Sequence, residues 1–350
     1  MNNSDEYDLI VIGAGMAGVA AANKCGAAGW RVAIVDALPY GGTCALRGCD
    51  PKKILRRGAE IVDAARLMDG KGIDHSGLKI NWSDLMVHKR GFTDPVPDKM
   101  EKGLTGNGVE TLHGAARFTG ANTLEVDGQP YQSKRFLVAA GAIPRPVSFT
   151  GANLMIDSTN FLNLGTLPKR ILFVGGGFVS FEFAHIAARA GAEPIIIDRG
   201  ARPLSAFDPD LVEMLIARSA AVGVDLRRET EIVSITASDA GFAVEVKTGD
   251  QTTTIETDLV VHGAGRIAAL ADLNLEAAGV SYGDKGIIVA PHLQSTTNDA
   301  VFAAGDSADT KGMPLTPVAV IEGKVAASNM LKEQKIVPDY SGIPTAVFTV

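Results

Sequence analysis

Cys44 and Cys49 stand five positions apart in GGTCALRGCDPKK, residues 41 to 53. The chain has only 3 cysteines, too few for a disulfide scaffold, and a pair this close in a reducing compartment points to redox work. In a regular helix positions i and i+5 differ by a rise of about 7.5 Å, beyond the roughly 7 Å Cα limit for a bridge. A bridge between them therefore demands a distorted turn. Gly48 can supply it, and Pro51 can restart the helix at its first position. A strained, accessible disulfide is also the more easily reduced kind. Lys52 and Lys53, close to that helix N-terminus, favour a thiolate. The third cysteine, Cys25, falls on a small-residue helix face and reads as core.

The second chemistry encoded is dinucleotide binding. Residues 8 to 36 read as an apolar strand, a Gly-rich turn, a small-residue helix and a second strand ending at Asp36. That is the context a G-x-G-x-x-G requires. Gly13 permits the tight turn, Gly15 lets backbone approach a pyrophosphate at the helix N-terminus, Gly18 allows close packing, and Asp36 would accept from a ribose hydroxyl. A shift of 162 positions carries Gly13, Gly15, Gly29 and Asp36 onto Gly175, Gly177, Gly191 and Asp198. The third glycine becomes Ser180, small enough to pack, with a hydroxyl that needs a partner. Two mononucleotide folds are thus encoded in one α/β chain.

Other elements must position these residues. Between the two units lie a helix beginning near Pro51, with Ile54, Ile61, Ala65 and Met68 on one face, and a β-rich stretch over 109 to 140. Three antiparallel segments and a return to the sheet follow the second unit. A third apolar strand, AVFAAGD, ends at Asp306, and residues 315 to 332 read as a helix. The chain closes on AVFTV, expected to be a terminal strand with nothing to pair against, as if sequence were missing. A length of 350 residues implies at least two domains. With 46% hydrophobic and 21% charged residues, disorder, collagen and coiled coil are excluded. The net charge of −7 has the wrong sign for nucleic acid or an anionic membrane. Asp5, Glu6 and Asp8 open the chain, and glycines break its first apolar run, so no targeting or spanning segment is read and a soluble cytoplasmic protein is expected. His185 reads as core, His113 and His262 as incidental loop residues, and His75, His88 and His292 as surface or loop. None has metal-ligand spacing, so no metal is expected.

The cysteine segment and the paired folds resemble the pyridine nucleotide-disulfide oxidoreductases of the glutathione reductase, dihydrolipoamide dehydrogenase and mercuric reductase type, over essentially the whole chain. The family's G-G-T-C-x-N-x-G-C-x-P-x-K is matched except at Leu46. Further matches are AAGAIP at 139 to 144, HGAGR at 262 to 266, T-x-x-x-x-V-F-A-x-G-D ending at Asp306, and LTPVA at 315 to 319. Leu46, Ala140, Ala268 and Ala269 depart from the family pattern and are expected to tune the site.

The resemblance implies two Rossmann-like domains, an NAD(P)H-binding one (150–270) inserted in an FAD-binding one (1–149 and 271–338), with 339–350 opening an interface domain. FAD would lie along Gly13, Gly15, Gly18, Asp36, Gly42, Thr43, Lys52, Lys53, Gly114, Ala115, Ala140, Gly141 and Gly305. Asp306 would reach the ribityl chain, and Thr316, Pro317 and Val318 would lie under the ring. NAD(P)H would meet Gly175, Gly177, Asp198, Arg199, Arg202, Gly265 and Arg266. NADPH is favoured, because Arg199 and Arg202 can share a 2′-phosphate, although Asp198 suits an unphosphorylated ribose. Cys49 would be the flavin-proximal thiol, Cys44 the interchange thiol, and Glu182 would pair with Lys53 or Lys52. The implied activity passes a hydride from NAD(P)H through FAD to the Cys44–Cys49 disulfide and on to a small-molecule disulfide. Alternatives are a flavin-binding fragment with little turnover, or an NAD(P)H oxidase or mercuric reductase-like enzyme. The family's interface domain, with its dimer contact and acid-base histidine, has no counterpart before Val350. A monomer that turns over poorly is therefore expected of this chain, where the full-length family forms homodimers.

Overall fold

The computed structural model describes residues 6–333 and 335–349, so Asp5 and Val350 lie outside the described residues. The described residues fall into two compact units: those of Met1–Leu46, Asp94–Ile143 and Arg266–Thr345, and those of Arg47–Thr93, Pro144–Gly265 and Ala346–Val350. None of their helices is long and apolar enough to cross a membrane.

The first unit is built on a five-stranded parallel sheet in the order Val301–Ala303, Phe136–Val138, Leu9–Ile12, Val32–Asp36, Val109–His113. All of Leu9–Ile12 is buried, as expected for a parallel strand covered on both faces. Ile10, Ile12, Val35 and Phe136 cluster with Phe118 and Leu124 of a three-stranded antiparallel sheet, Ala116–Gly120, Thr123–Val126 and Gln129–Gln132. Leu9, Val11, Val32 and Ile34 cluster with the helices Met16–Ala27 and Thr316–Lys332. Those helices touch backbone to backbone: a Cβ on Gly323 would lie 2.2 Å from the Ala17 carbonyl oxygen.

The second unit repeats the plan. Its parallel sheet runs Asp225–Arg227, Glu193–Ile197, Arg170–Val174, Leu259–His262, and its antiparallel sheet is Thr230–Ser238, Gly241–Thr248 and Gln251–Thr257. The repeat read from the sequence extends to the backbone, where Gly13 has φ +104° and Gly175 φ +101°.

Two sequence-based expectations about the helix after the cysteines are corrected. It begins at Cys49, capped by Gly48, so Pro51 is its third residue and not its first. The N–H that proline lacks is one of the first four, which have no intrahelical acceptor anyway. Its buried face is Leu55, Ala59 and Val62 with Lys52 and Asp63, while Ile61 and Met68 are exposed. Charged positions go inward because each has a buried partner. Asp63 accepts from Arg189 Nε at 3.1 Å and Nη2 at 2.9 Å, and from Arg218 Nη2 at 2.6 Å. Arg189 Nη1 lies 3.0 Å from His185 Nδ1, and His185 Nε2 lies 2.9 Å from Ser219 Oγ, so the core histidine belongs to a polar network.

The last apolar run is also corrected, because no strand forms over residues 343–349. The Phe348 N–H instead donates to Glu182 Oε1 at 2.7 Å, which removes an open strand edge from that segment.

Asp63→Ala should destabilise the second unit by about 3–5 kcal/mol, because the fully buried Arg189 side chain loses its counter-charge. Arg218→Ala, whose side chain is 35% exposed, should cost about 1 kcal/mol or less. Urea midpoints of the two variants at unchanged m-value are the measurement; equal shifts would show that the network does not depend on Asp63.

Candidate functional site

In a parallel sheet every strand ends on the same side, and ligands of such sheets sit beyond those ends. In the first unit Gly13, Asp36, Gly114, Ala140 and Gly305 each lie at or just past the end of one of the five strands. In the second unit Gly175, Asp198 and Gly265 do the same for three of the four.

The glycines of each turn divide into two kinds. A Cβ on Gly13 would lie 2.3 Å from the Ala139 oxygen, and one on Gly18 2.0 Å from the Gly13 oxygen, so both are held against backbone. On Gly15 a Cβ would meet only the Gly42 Cα, at 3.9 Å. Gly42 belongs to the first kind, since its Cβ would lie 2.5 Å from the Gly15 Cα; packed in this way, it leaves Gly15 as bare backbone beside a helix N-terminus, a cradle that fits a pyrophosphate. The second turn matches: Gly175 is crowded by the Gly263 oxygen at 2.7 Å, whereas Gly177 meets only that atom, at 3.4 Å. Ser180 Oγ is fully buried with no hydrogen-bond partner among the described residues, and it would stand 2.1 Å from a Cβ on Gly263. The extra hydroxyl thus excludes a side chain from position 263.

Asp36 ties its own turn, Oδ2 accepting from the Ala14 N–H and Oδ1 from the Leu38 N–H, both at 2.8 Å. Each oxygen keeps a lone pair for a ribose hydroxyl. The Gly114 N–H donates to the Asp36 carbonyl, and the Ala115 N–H to Asp127 Oδ1. The Gly141 N–H donates to Ser307 Oγ at 2.9 Å, joining Ala140–Gly141 to the short turn Gly305–Ser307 that carries Asp306. Burial pushes the Asp306 carboxyl up, with the Arg266 charge opposing. Thr316, Pro317 and Val318 form the first turn of the helix Thr316–Lys332.

Beyond the second sheet, the Gly200 N–H donates to Asp198 Oδ1 at 3.3 Å. Arg199 is exposed and lines a cavity of about 330 Å³ with Glu229, Glu231 and Lys247. Arg202 instead donates to the Ser205 carbonyl at 2.7 Å, folded on its own turn. Lys247 escaped the sequence reading, because it is 48 positions from Arg199 (247 − 199) and no local pattern links them. His262 Nε2 lies 2.9 Å from the Arg145 carbonyl oxygen, a structural partner for an exposed ring atom.

Cys44 lies in a π-helical turn, Thr43–Arg47, and Cys49 is the first residue of the next helix; both are half-buried. The distorted turn expected between them is therefore present. Cys49 and Lys52, three apart on one helix, share a face. Lys52 Nζ meets Glu182 Oε2 at 2.7 Å with both side chains inside, 10% and 2% exposed. Of the two lysines offered by the sequence, Lys53 is thus not the partner. It is one position, about 100°, further round the helix and exposed. Glu182 in turn belongs to the helix Phe178–Arg189 that Gly177 opens, so one ion pair joins the cysteine helix to the second glycine turn. Phe348 covers the pair, its ring centroid 4.6 Å from Lys52 Nζ and 5.2 Å from Lys53 Nζ. Buried Cys25 stands apart, its thiol pushed up to about 12 by burial.

Comparison with known proteins bears on the same residues. The glutathione reductase of Burkholderia cepacia is 31% identical over 344 residues, covering 98% of this chain and 76% of the relative. The mercuric reductase of Staphylococcus aureus is 30% identical over 99% of this chain, and the chloroplastic/mitochondrial glutathione reductase of Pisum sativum 30% over 98%. The chain spans 64% of the length of each of these two. The profile of the family described as pyridine nucleotide-disulphide oxidoreductase matches residues 7–323, a span that holds both glycine turns, the cysteine pair and the Lys52–Glu182 ion pair. By that match, and by the doubled α/β plan that carries it, the chain belongs to the pyridine nucleotide-disulphide oxidoreductases.

Proposed function

We propose that this chain is the FAD- and NAD(P)H-binding part of a disulfide reductase, with Cys44 and Cys49 as its redox pair. The observation that carries the reading is the buried Lys52–Glu182 pair, which ties the helix begun by Cys49 to the helix begun by the second nucleotide turn. The first turn, with Gly15, Gly42 and Asp36, holds FAD together with Gly141, Asp306 and the helix start at Thr316. The second, with Gly177, Asp198 and Arg199, holds the nicotinamide nucleotide. By domain this assigns 1–149 and 271–338 to FAD and 150–270 to NAD(P)H. Bound FAD supplies the two-electron relay between the nicotinamide and the cysteine pair.

With the pair reduced, the Cys44 thiolate attacks one sulfur of the substrate disulfide and expels the other half as a thiolate, which takes a proton. Cys49 then attacks the Cys44 sulfur, releases the second thiol and restores the Cys44–Cys49 disulfide. The attacking thiolate at Cys49 is favoured by the helix N-terminus and by Lys52. A small-molecule disulfide is assigned as acceptor rather than a metal ion, since the remaining cysteine is buried and inert. The chemistry belongs to a reducing compartment, and the reading places the protein in the cytoplasm.

Three measurements test this reading. Gly15→Ala puts a methyl where only the Gly42 Cα is in reach, so the apoprotein should melt as wild type while FAD binds at least about tenfold more weakly through lost backbone contacts. Wild-type protein that cannot be loaded with FAD would sink the assignment. In the loaded protein Cys44→Ser should leave a standing long-wavelength charge-transfer absorbance from the Cys49 thiolate, and Cys49→Ser should abolish it; the opposite pattern reverses the two roles. Arg199→Ala should raise KM for NADPH about tenfold or more, leaving NADH within about twofold, because only the phosphorylated ribose uses its fork. Equal effects on both nucleotides would remove Arg199 as the selecting residue.

A further inference from the structure

Glu322 is a fully buried carboxylate that the proposed reaction does not use. Its Oε2 accepts from the Gly305 N–H at 2.6 Å. Its Oε1 accepts from Thr310 Oγ at 2.8 Å and from the Tyr340 hydroxyl at 2.7 Å. The three donors come from the turn before Asp306, the loop after it and the segment beyond the helix. Glu322 cannot withdraw from them easily, because the next residue, Gly323, lies directly on the Ala17 backbone. Asp306 is consequently held between two tied points: the Gly305 N–H on Glu322, and Ser307 Oγ on the Gly141 N–H at 2.9 Å. Gly305 has φ +66°, a left-handed conformation that glycine adopts without steric cost, so the hydrogen bond to Glu322 is what fixes a residue otherwise free to turn.

We propose that Glu322 is the positioning residue of the flavin site: it anchors the Gly305–Ser307 turn and so aims the Asp306 carboxylate at the cofactor. This rests on the assignment of FAD to the first unit. Anchoring requires an acceptor for the Gly305 N–H, not a charge, and burial indeed pushes the Glu322 carboxyl up. Glutamine can replace it, its amide oxygen taking Gly305 while the amide group donates to the Thr310 and Tyr340 hydroxyls, which can turn to accept. Methionine fills the same space and offers Gly305 no adequate acceptor.

The test is FAD titration of apoprotein, followed by flavin fluorescence, for wild type, Glu322→Gln, Glu322→Met, Asp306→Asn and the Glu322→Met/Asp306→Asn double variant, with a melting curve of each apoprotein. Expected are affinity within about threefold of wild type for Glu322→Gln, and a loss of about tenfold or more for Glu322→Met. Because Glu322 acts through Asp306, Glu322→Met should add little to the loss already caused by Asp306→Asn. Independent, multiplying losses, or a glutamine variant as weak as the methionine one, would overturn the proposal. So would Glu322→Met binding as wild type while Asp306→Asn is impaired, a result that leaves the FAD assignment standing. No FAD uptake by the wild type overturns both.

Discussion

The strand-to-helix turn in each unit passes so close to a neighbouring strand end that no β-carbon fits at Gly13 or Gly175. Much else follows from that crowding. It presses the following helix onto the sheet, points the helix N-terminus across the strand ends, and leaves Gly15 and Gly177 as backbone with a single neighbour each, the Gly42 Cα and the Gly263 oxygen. In the proposed reading a phosphate group of the nucleotide would meet there N–H donors and the positive end of a helix. Asp36 is drawn into the same construction, since its carboxylate closes the turn through the Ala14 N–H. That the geometry occurs twice, with φ of +104° and +101°, shows one steric solution used in both units.

Around this frame the structure places charges where an apolar pattern would put methyl groups. Lys52 with Glu182, Asp63 with Arg189, and Glu322 with its three donors are all buried, and each is satisfied by atoms remote in sequence. A desolvated charge without a partner costs several kcal/mol, so such pairs tolerate very few arrangements of the helices that bear them. Hydrophobic contacts at the same positions would permit sliding. The helix Cys49–Leu67 shows the effect: it turns Lys52 and Asp63 inward, where each meets an oppositely charged partner, and leaves Ile61 in solvent.

The sequence by itself determined what is local. Glycine spacing, the strands on either side and the terminal Asp36 and Asp198 identify two nucleotide folds, since each feature concerns residues that one strand-turn-helix unit must contain. The distorted turn between Cys44 and Cys49 was legible for the same reason, from the five-residue interval and Gly48. Tertiary structure decided which of two adjacent lysines is used, because the choice depends on the helix starting at Cys49 and on Glu182, 130 positions away from Lys52 (182 − 52). It also decided that Phe348 covers that pair and that Glu322, an unremarked glutamate in a helix, supports the turn of Asp306. Periodicity reports which side chains share a face; only the folded chain decides which desolvated polar groups meet a partner, because that partner comes from another segment.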